Sequence, residues 1–551
     1  MSGTPAIIVS GGAKAAAEKS ARLLEFFGVP SRVLSVAEFF GSLNGAENLR
    51  VLCPAEIFPQ LQPGLGAGKI HSVFVHGAEI FSGAKSIESR AGNFKVSSGL
   101  NEFCGAMAGV TFGGVENSQP QRVLKIPGAE EIIFNADGAV FSRCEIAGVP
   151  VFVSPAEPMD LAADLTGIFF DVRRHFAEAV PPALYARWAF AATCWQPAET
   201  CACLVIDDPL LRPSYGFVNF DRLLAHMERE NFSTSVAFIP WNWNRSARRT
   251  ARLFNDNSGR LSVSIHGCDH TAGEFGDASV ARLAWKSRLA LDRMARHQTR
   301  TAVAHDRVMV FPQGVFSAAA MRALKHADFT GTVNSEVFNV DGAPRKISVG
   351  DWWRTAVMNF DEFPIFTRRY PWAGVENFAF DILLGKPCLL VVHQNDCFDD
   401  CKYVTDCVAG VNRLNARLRW TSLGEVVRRS FRQREILPGV IEAEIFASEA
   451  RLENSSTGKK TFRVFKREAD VNQVGSIRAD GAEISWSAMP GGIGFEIALE
   501  PGGARTVAVS FAPLADAEFA GENFLYEVKT FCRRRLCEVR DNFLRRKKYS
   551  V

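Results

Sequence analysis

Hydrophobic and polar positions first alternate between strand-like runs and helical stretches. The apolar run Ala6–Val9 precedes Ala13–Phe27, a stretch rich in Ala, Glu, Lys and Leu, and Gly28 stands where a helix would end. Similar runs recur to about residue 155, and residues 160–195 have a helical pattern. Strands that alternate with helices predict an α/β layer fold for this part of the chain.

The same alternation returns between Cys201 and about Arg429, now with strands that are short and almost wholly apolar. A surface helix is predicted at Val280–Ala295. Continuous apolar runs are typical of parallel strands covered by helices, so a barrel or an open α/β sheet is expected. The predicted strands are Ala202–Ile206, Ser233–Ile239, Leu261–Ile265, Val308–Phe311 and Leu389–Val392.

From Pro438 the period of the pattern becomes two, and Gly/Pro turns such as Pro501-Gly502-Gly503 separate the runs. This alternation of polar and apolar residues, interrupted by turns, predicts a small antiparallel β-sandwich. The predicted division of the chain is an α/β domain with a helical linker (1–195), a (β/α) barrel (196–432), a β-sandwich (433–515) and a basic amphipathic helix (516–551).

Composition narrows the class of protein. The chain has 551 residues, is 47% hydrophobic and has a net charge of +3. These values exclude a mostly disordered chain and argue against a nucleic-acid binder, which would be strongly basic. The N-terminus lacks the basic and apolar regions of a signal peptide, and no apolar run is long enough to span a membrane. We therefore expect a soluble, reduced, cytoplasmic protein.

The charge is concentrated at the C-terminal end. Residues 521–551 carry nine basic and four acidic side chains, a net charge of +5, which leaves −2 for the rest of the chain. Cys532, Leu536, Val539 and Phe543 have the spacing of one apolar helix face. We expect this helix to dock on its own protein with a solvated basic face. The alternative is that it binds an anionic membrane surface or an acidic partner.

Titratable side chains follow three of the predicted strands in the central region. The carboxyl ends of strands in α/β barrels converge on one face, where catalytic residues gather. Taken singly, an Asp pair usually caps a helix or turn, and a His after a buried strand is usually a hydrogen-bonded core residue. Their shared position favours a common site. The side chains are Asp207 and Asp208, His266 and His270, and His393.

These residue types suit one chemistry. Two imidazoles four residues apart can bind one cation from the same side, and a carboxylate completes a three-ligand site with room for water. A second carboxylate can accept a proton from that water, and a further His can protonate a leaving amine. The combination indicates hydrolysis of an amide or ester.

The central region resembles the polysaccharide deacetylases, the NodB-homology group of carbohydrate esterases. The resemblance covers roughly 230 residues and follows the family's chain order. The matching motifs are Asp207-Asp208, the HxxxH pair His266 and His270, Phe311-Pro312-Gln313-Gly314, and Leu390-Val391-Val392-His393.

The resemblance implies a distorted (β/α) barrel flanked by the α/β domain and the β-sandwich. It implies that Asp207 is the catalytic base and His393 the acid. It also implies that Asp208, His266 and His270 bind a divalent metal, with zinc the expected ion.

The sequence departs from the family pattern at two places. Pro209-Leu210 replaces the Gly-Pro that usually follows the Asp pair. Val310 stands where an Arg usually precedes the Pro-x-Gly motif and orients the base. The second change removes a charge partner of Asp207 and leaves its orientation open.

Aromatic residues suggest where a sugar would bind. Trp241, Trp243 and Arg245 follow the second strand, and Trp352 and Trp353 lie in a later loop. Aromatic rings stack on sugar rings, so these residues are predicted to bind substrate. The alternative is that the tryptophans plug the barrel mouth.

The sequence thus predicts a metal-dependent hydrolase that removes acetyl groups from an N-acetylated sugar, a polysaccharide or its precursor. An acetylated carbohydrate is the expected partner, and nucleic acid is not. One alternative is an inactive deacetylase-like protein that binds carbohydrate or organises an assembly. Another is a glycoside hydrolase that uses Asp207 and an acid such as Asp351.

Overall fold

The computed structural model describes residues 5–12, 14–45, 47–78, 81, 83–113, 120–514 and 519–544. The basic residues Arg545, Arg546, Lys547 and Lys548 of the predicted C-terminal helix lie outside these ranges. Within them, no helix combines the length and the apolar character needed to cross a membrane.

The N-terminal region is built on a mixed sheet. Its first strands are parallel, and it continues through antiparallel hairpins in the order β2-β1-β3-β4-β11-β10-β9-β6-β7, while β5 pairs with β8 and β8 with β10. The strands are β1 (Ala6–Val9), β2 (Ser31–Leu34), β3 (Leu49–Pro54), β4 (Ile70–His76), β5 (Lys85–Ser89), β6 (Phe94–Val96), β7 (Thr111–Phe112), β8 (Gln121–Lys125), β9 (Glu130–Asn135), β10 (Gly138–Ile146) and β11 (Val149–Val153). The helices are α1 (Lys14–Phe26), α2 (Val36–Ser42), α3 (Phe58–Leu65), α4 (Asn101–Cys104) and α5 (Val172–Ala189).

The central region is a parallel sheet surrounded by helices. A short strand, β12 (Gln196–Pro197), precedes it and pairs outside it. The barrel strands and the hairpin β14–β15 are β13 (Cys201–Asp207), β14 (Ser214–Tyr215), β15 (Val218–Asn219), β16 (Thr234–Phe238), β17 (Leu261–His266), β18 (Val308–Val310), β19 (Gly331–Asn334), β20 (Ile365–Thr367), β21 (Cys388–His393) and β22 (Arg419–Trp420). The helices are α6 (Phe220–Glu230), α7 (Arg248–Asp256), α8 (Val280–Thr301), α9 (Ala318–Lys325), α10 (Val349–Trp353), α11 (Val375–Leu384), α12 (Lys402–Asn412) and α13 (Leu423–Arg429).

The strand order β20-β19-β18-β17-β16-β13-β21 bends this sheet into a nearly closed barrel. Beyond the end of β20, Arg369 exchanges backbone hydrogen bonds with Leu389 and Val391 of β21, both 2.9 Å long. This contact joins the two edges of the sheet. The carboxyl ends of the strands therefore gather on one face.

The apolar character of β13 follows from its burial on both sides. All seven of its residues are buried. Leu204 and Ile206 belong to the core shared with the surrounding helices, whereas Cys203 and Val205 belong to the core shared with α13 and the C-terminal sheets. A strand buried on both faces needs apolar side chains at every position, which hides the period-two pattern.

Two facing sheets follow the barrel, and buried and more exposed side chains alternate along parts of their longest strands. Their orders are β12-β23-β24-β26-β30-β29 and β25-β31-β27-β28. The strands are β23 (Arg432–Leu437), β24 (Val440–Ile445), β25 (Glu449–Glu453), β26 (Lys460–Arg467), β27 (Val474–Ala479), β28 (Ala482–Glu483), β29 (Ser487–Met489), β30 (Gly492–Leu499) and β31 (Ala504–Phe511). The domain boundaries at residues 195, 432 and 515 stay a prediction.

The C-terminal helix α14 (Phe524–Val539) continues into a π-helical turn at Arg540–Leu544. Asn523 caps its start through a hydrogen bond to the backbone N–H of Tyr526. The helix lies on the barrel, as expected from the sequence. Its orientation differs from the expectation and is described with the site.

Candidate metal centre and active site

The Asp207-Asp208 pair stands where β13 leaves the sheet. In the parallel register, Asp207 lies opposite Ala237 of β16 on one side and His393 of β21 on the other. Asp208 has a φ of 85°, in the left-handed region that a residue with a Cβ rarely adopts. Strain of this kind clusters at functional sites, where the surrounding structure holds it in place.

Asp208, His266 and His270 come together at this end of the barrel. Their ligand atoms all lie within 4.8 Å of one another. The Nε2 atoms of His270 and His266 lie 3.1 and 3.5 Å from Oδ1 of Asp208.

The hydrogen bonds around these residues leave their inner atoms unsatisfied. His266 lies with Nδ1 2.9 Å from the Val310 carbonyl, so Nδ1 carries the proton and Nε2 offers a lone pair. Among the described residues, Oδ1 of Asp208 accepts no hydrogen bond, although it is buried. A buried acceptor without a donor is costly, and a cation removes that cost. One carboxylate and two imidazoles therefore fit a divalent metal with open positions.

Glu274 holds the loop that carries these ligands. Its carboxylate accepts hydrogen bonds from the backbone N–H groups of Cys268, Asp269 and His270, at 2.8, 3.0 and 2.9 Å. His270 has a φ of 56°, and this turn aims its ring back at Asp208. A side chain four residues further along the chain thus fixes a strained ligand loop.

Asp269, between the two histidines, belongs to a separate network. Its Oδ1 accepts from Arg293 at 2.6 Å, and its Oδ2 accepts from Lys286 at 2.9 Å and from the Tyr526 hydroxyl at 3.0 Å. Burial lowers the pKa of Lys286, but Asp269, Glu274 and Tyr526 outweigh it and raise the pKa above its usual value. The network has its own positive charges and needs no metal.

Arg368 corrects the expectation that the base lacks a charge partner. Val310 does occupy the position predicted for the missing Arg, and its side chain is buried in the core. Arg368, directly after β20, instead donates to both oxygens of Asp207 at 2.7 Å. Burial raises the pKa of Asp207, but Arg368, with His266 and His393, outweighs it and lowers the pKa. Sequence reasoning missed this residue, although Ile365-Phe366-Thr367-Arg368 is another apolar strand with a charged end.

His393 faces a cavity of about 160 Å³ that it shares with Asp207 and Arg368. The ring of Tyr370 stacks on His393 with a 9° angle between planes, and Trp372 stacks on Tyr370 at 11°. Trp372 is 54% exposed, so this stack forms an open aromatic wall. Asp396 accepts from the backbone N–H of His393 at 2.7 Å and so caps the turn after β21.

Trp352 and Trp353 are not part of this wall. Their side chains are 1% and 0% exposed, and Trp353 packs edge-on against Phe170 and Phe380. A buried ring cannot stack on a sugar, so the two tryptophans predicted to bind substrate are core residues. The aromatic residues that face the cavity are the exposed Trp372 and the half-buried Tyr370, which the sequence did not single out.

Trp241, Trp243 and Arg245 also have other partners. Arg245 pairs with Glu538 of α14, and the ring of Trp241 lies 6.1 Å from that of Phe531 on the same helix. The Arg296 guanidinium lies 5.8 Å from the ring of Trp243. Trp241 and Arg245 therefore form part of the surface on which α14 docks.

The glycosidase alternative required a second carboxylate such as Asp351. Oδ2 of Asp351 accepts from the backbone and hydroxyl of Ser348 at 3.0 and 2.8 Å and from Asn359 at 3.1 Å. These contacts form a capping box at the start of α10. Asp351 thus caps a helix and does not line the cavity that holds Asp207.

No protein-family profile matches the chain, and comparison with curated proteins finds no match. Solved structures resemble about two fifths of the chain. The T48 deacetylase with substrate is 14% identical over 41% of this chain and 90% of that chain, with a TM-score of 0.26. The Xyl-CE4 domain of a multidomain xylanase from the hindgut metagenome of Trinervitermes trinervoides is 12% identical over 41% and 89%, with a TM-score of 0.25. The family 4 carbohydrate esterase from Streptomyces lividans in complex with acetate is 11% identical over 38% and 85%, with a TM-score of 0.24. These likenesses are too distant to carry an argument about activity, which rests on the site itself.

Proposed function

We propose that this protein is a metal-dependent hydrolase that removes acetyl groups from an N-acetylated glycan. One observation carries the proposal. A ligand set without its own positive charge lies beside a carboxylate held by Arg368, and His393 is on the adjacent strand. These are the parts that hydrolysis of an amide requires: a metal centre, a base and an acid.

Asp208, His266 and His270 are the residues that would hold the metal. A divalent cation supplies Lewis acidity, which polarises a carbonyl oxygen and lowers the pKa of water. Nitrogen and oxygen ligands in this ratio suit zinc and also other first-row divalent ions. Zinc is therefore the first ion to test.

The remaining side chains divide the proton transfers. The carboxylate of Asp207 accepts a proton from the water that attacks the acetyl carbonyl. His393 donates a proton to the amine nitrogen as the C–N bond breaks, so acetate and a free amine leave. The bidentate contact with Arg368 fixes both oxygens of Asp207 and keeps the base in one orientation.

The cavity walls favour a sugar as the substrate. Tyr370 and Trp372 offer aromatic faces on one side, and Ile168 and Phe169 also line the cavity. Flat apolar rings with polar groups nearby are what a sugar ring requires. Gln313 and Glu336 line the same space and can bond to hydroxyl groups.

A second cavity favours an extended glycan over a single sugar. It has a volume of about 930 Å³ and runs between the N-terminal sheet and the segment 163–176. Ile168 and Phe169 line both cavities. A chain bound at the metal centre could therefore continue along this groove, which gives the N-terminal region a part in substrate binding.

Acetate release from N-acetylated oligosaccharides of increasing length tests the proposal. The zinc-loaded protein is expected to release acetate, with longer substrates giving the higher kcat/KM. His266→Ala is expected to lower the rate by about 100-fold or more, because it removes one of three metal ligands. His326→Ala is the matched control, because His326 bonds to the Ala512 carbonyl away from the site.

Three outcomes contradict the proposal. Binding of the oligosaccharides without acetate release from any metal-loaded form would leave a carbohydrate-binding role. New reducing ends without acetate would indicate cleavage of glycosidic bonds instead. Activity that survives unchanged in His266→Ala would show that the metal centre is not used.

A further inference from the structure

The C-terminal helix docks on the barrel through its polar side. Glu538 pairs with Arg212 at 2.8 Å and with Arg245. The Tyr526 hydroxyl reaches the Asp269 network, and Asp541 lies 3.2 Å from the Tyr215 hydroxyl. Helices usually bury an apolar stripe, so the docking of this one is inverted.

The apolar side of the helix consequently faces away from the protein. Leu525, Val528, Cys532, Leu536 and Val539 recur at intervals of three and four residues, and all five are exposed. Leu525 and Leu536 are 67% and 68% exposed. Of the seventeen large apolar side chains exposed in the described residues, eight lie between 524 and 544. A continuous apolar patch of this kind marks a binding surface.

Positive charge flanks this outward stripe. Lys529, Arg535 and Arg540 are exposed. The acidic residues Glu538 and Asp541 are instead turned toward the barrel, where cations or a hydroxyl hold them. Glu527 is also exposed, so the exposed side of the helix is apolar in its centre and has more basic than acidic side chains at its margins.

We infer that the outward side of α14 binds an anionic membrane surface. Apolar side chains enter the boundary between headgroups and acyl chains, and Lys and Arg contact anionic headgroups. A partner protein would need a groove that is both apolar and acidic, whereas an anionic bilayer offers both properties at any orientation around its normal. The combination of apolar and basic side chains on the outward side of α14 therefore favours a membrane over a partner protein.

The docking site sets the orientation of the barrel. Arg212, Arg245 and Asp269 lie in loops that follow β13, β16 and β17, at the same end as the metal ligands. A helix bound to lipid by its outer side turns this end toward the membrane. This last step rests on the proposed function: it brings the deacetylase site to glycans carried at a membrane surface.

Sedimentation with vesicles tests the inference on the full-length protein. We expect it to sediment with vesicles of phosphatidylcholine and phosphatidylglycerol, and at least about tenfold more weakly with phosphatidylcholine alone. The double variant Leu525→Glu/Leu536→Glu is expected to lose at least about tenfold in binding, because it places two charges in the apolar stripe. Leu437→Glu is the matched control, since Leu437 is 48% exposed on the β-sandwich.

The inference is overturned if the wild-type protein binds neither vesicle, or if the double variant binds like the wild type. It is also overturned if ultracentrifugation shows a dimer that the double variant dissociates, because the stripe would then be covered by a second copy. Acetate release from a soluble oligosaccharide is measured without vesicles. If the wild-type protein binds neither vesicle but still releases acetate, only the membrane inference is refuted and the proposed function stands.

Discussion

Two clusters of buried polar groups meet at the loop after β17, and they differ in whether a cation of the protein contacts the buried carboxylate. His266 and His270 converge on Asp208, and Oδ1 of this carboxylate accepts no hydrogen bond from the described residues. Asp269, one residue before His270, has both oxygens engaged by Lys286 and Arg293. The first cluster lacks positive charge, whereas the second is supplied with it.

The neighbouring elements, more than the loop itself, therefore decide what a buried carboxylate does. Helix α8 contributes Lys286 and Arg293, and α14 contributes Tyr526, so Asp269 is part of a closed structural network. Among the described residues, no Lys or Arg side chain forms an ion pair with Asp208, although Arg540 interacts with it from a distance. A buried charge must be paired or bind a metal, and these two carboxylates illustrate the two solutions.

The largest expected difference is between substitutions of the adjacent residues His270 and Asp269, compared in zinc affinity and in stability. His270→Ala should lower the affinity for zinc by about 100-fold or more, because it removes a ligand. Asp269→Asn should change that affinity by less than about tenfold, yet lower the free energy of unfolding by about 1.5–3 kcal/mol, because the charged hydrogen bonds to Lys286 and Arg293 are weakened while Glu274 and Glu522 still face Lys286. Zinc titration against a chelator and urea unfolding of the metal-free protein measure the two effects. If His270→Ala binds zinc as tightly as the wild type, the separation into a metal-binding cluster and a structural network is refuted.

Two consecutive arginines separate catalysis from stability. Arg368 pairs with Asp207, and Arg369 pairs with Asp381 of α11, both bidentate and buried. Either Arg→Met variant should lower the free energy of unfolding by about 3–5 kcal/mol. Arg368→Met should in addition lower kcat for acetate release by about 100-fold, because the base loses its orientation. If Arg369→Met lowers the kcat of the folded protein equally, Arg368 has no special role.

A third buried cation extends the comparison to pH. Lys386 donates to the carbonyls of Trp352 and Arg354, and burial lowers its pKa to about 7. The unfolded chain keeps this proton up to its ordinary pKa, so the folded protein releases it first as pH rises above about 7. The free energy of unfolding should therefore increase with pH above this value, by at most about 1.4 kcal/mol per pH unit.

Lys386→Met should remove that part of the slope, whereas Lys346→Met, at a side chain that is 87% exposed, should retain it. Urea unfolding of the metal-free protein at a series of pH values above neutrality measures both. An unchanged slope in Lys386→Met would mean that this ammonium stays charged, as Lys286 does beside its carboxylates.

The most productive sequence signal was a titratable side chain directly after an apolar strand. It selected Asp207, Asp208, His266, His270 and His393, and the fold brings these residues to one end of the barrel. It worked because burial on both faces makes barrel strands apolar, so the first charged residue marks where each strand leaves the sheet.

Aromatic residues were harder to interpret because a sequence does not state which side of a loop is solvated. Trp352-Trp353 and Trp372 are all aromatic loop candidates in the sequence. In the folded protein Trp353 packs against Phe170 and Phe380, and Trp352 lies beneath Arg369 and Lys386, so both are buried, whereas Trp372 is exposed.

A period or a spacing along the chain is enough to predict the alternating layers, the polar strand ends and the apolar face of the basic C-terminal helix. The pairing of Arg368 with Asp207, 161 residues away, and the outward orientation of the apolar side of α14 are visible only in the folded protein. Both outcomes depend on which elements meet in space. Strand order and barrel closure bring Arg368 to Asp207. The pairing of Arg212 and Arg245 with Glu538 fixes the orientation of α14.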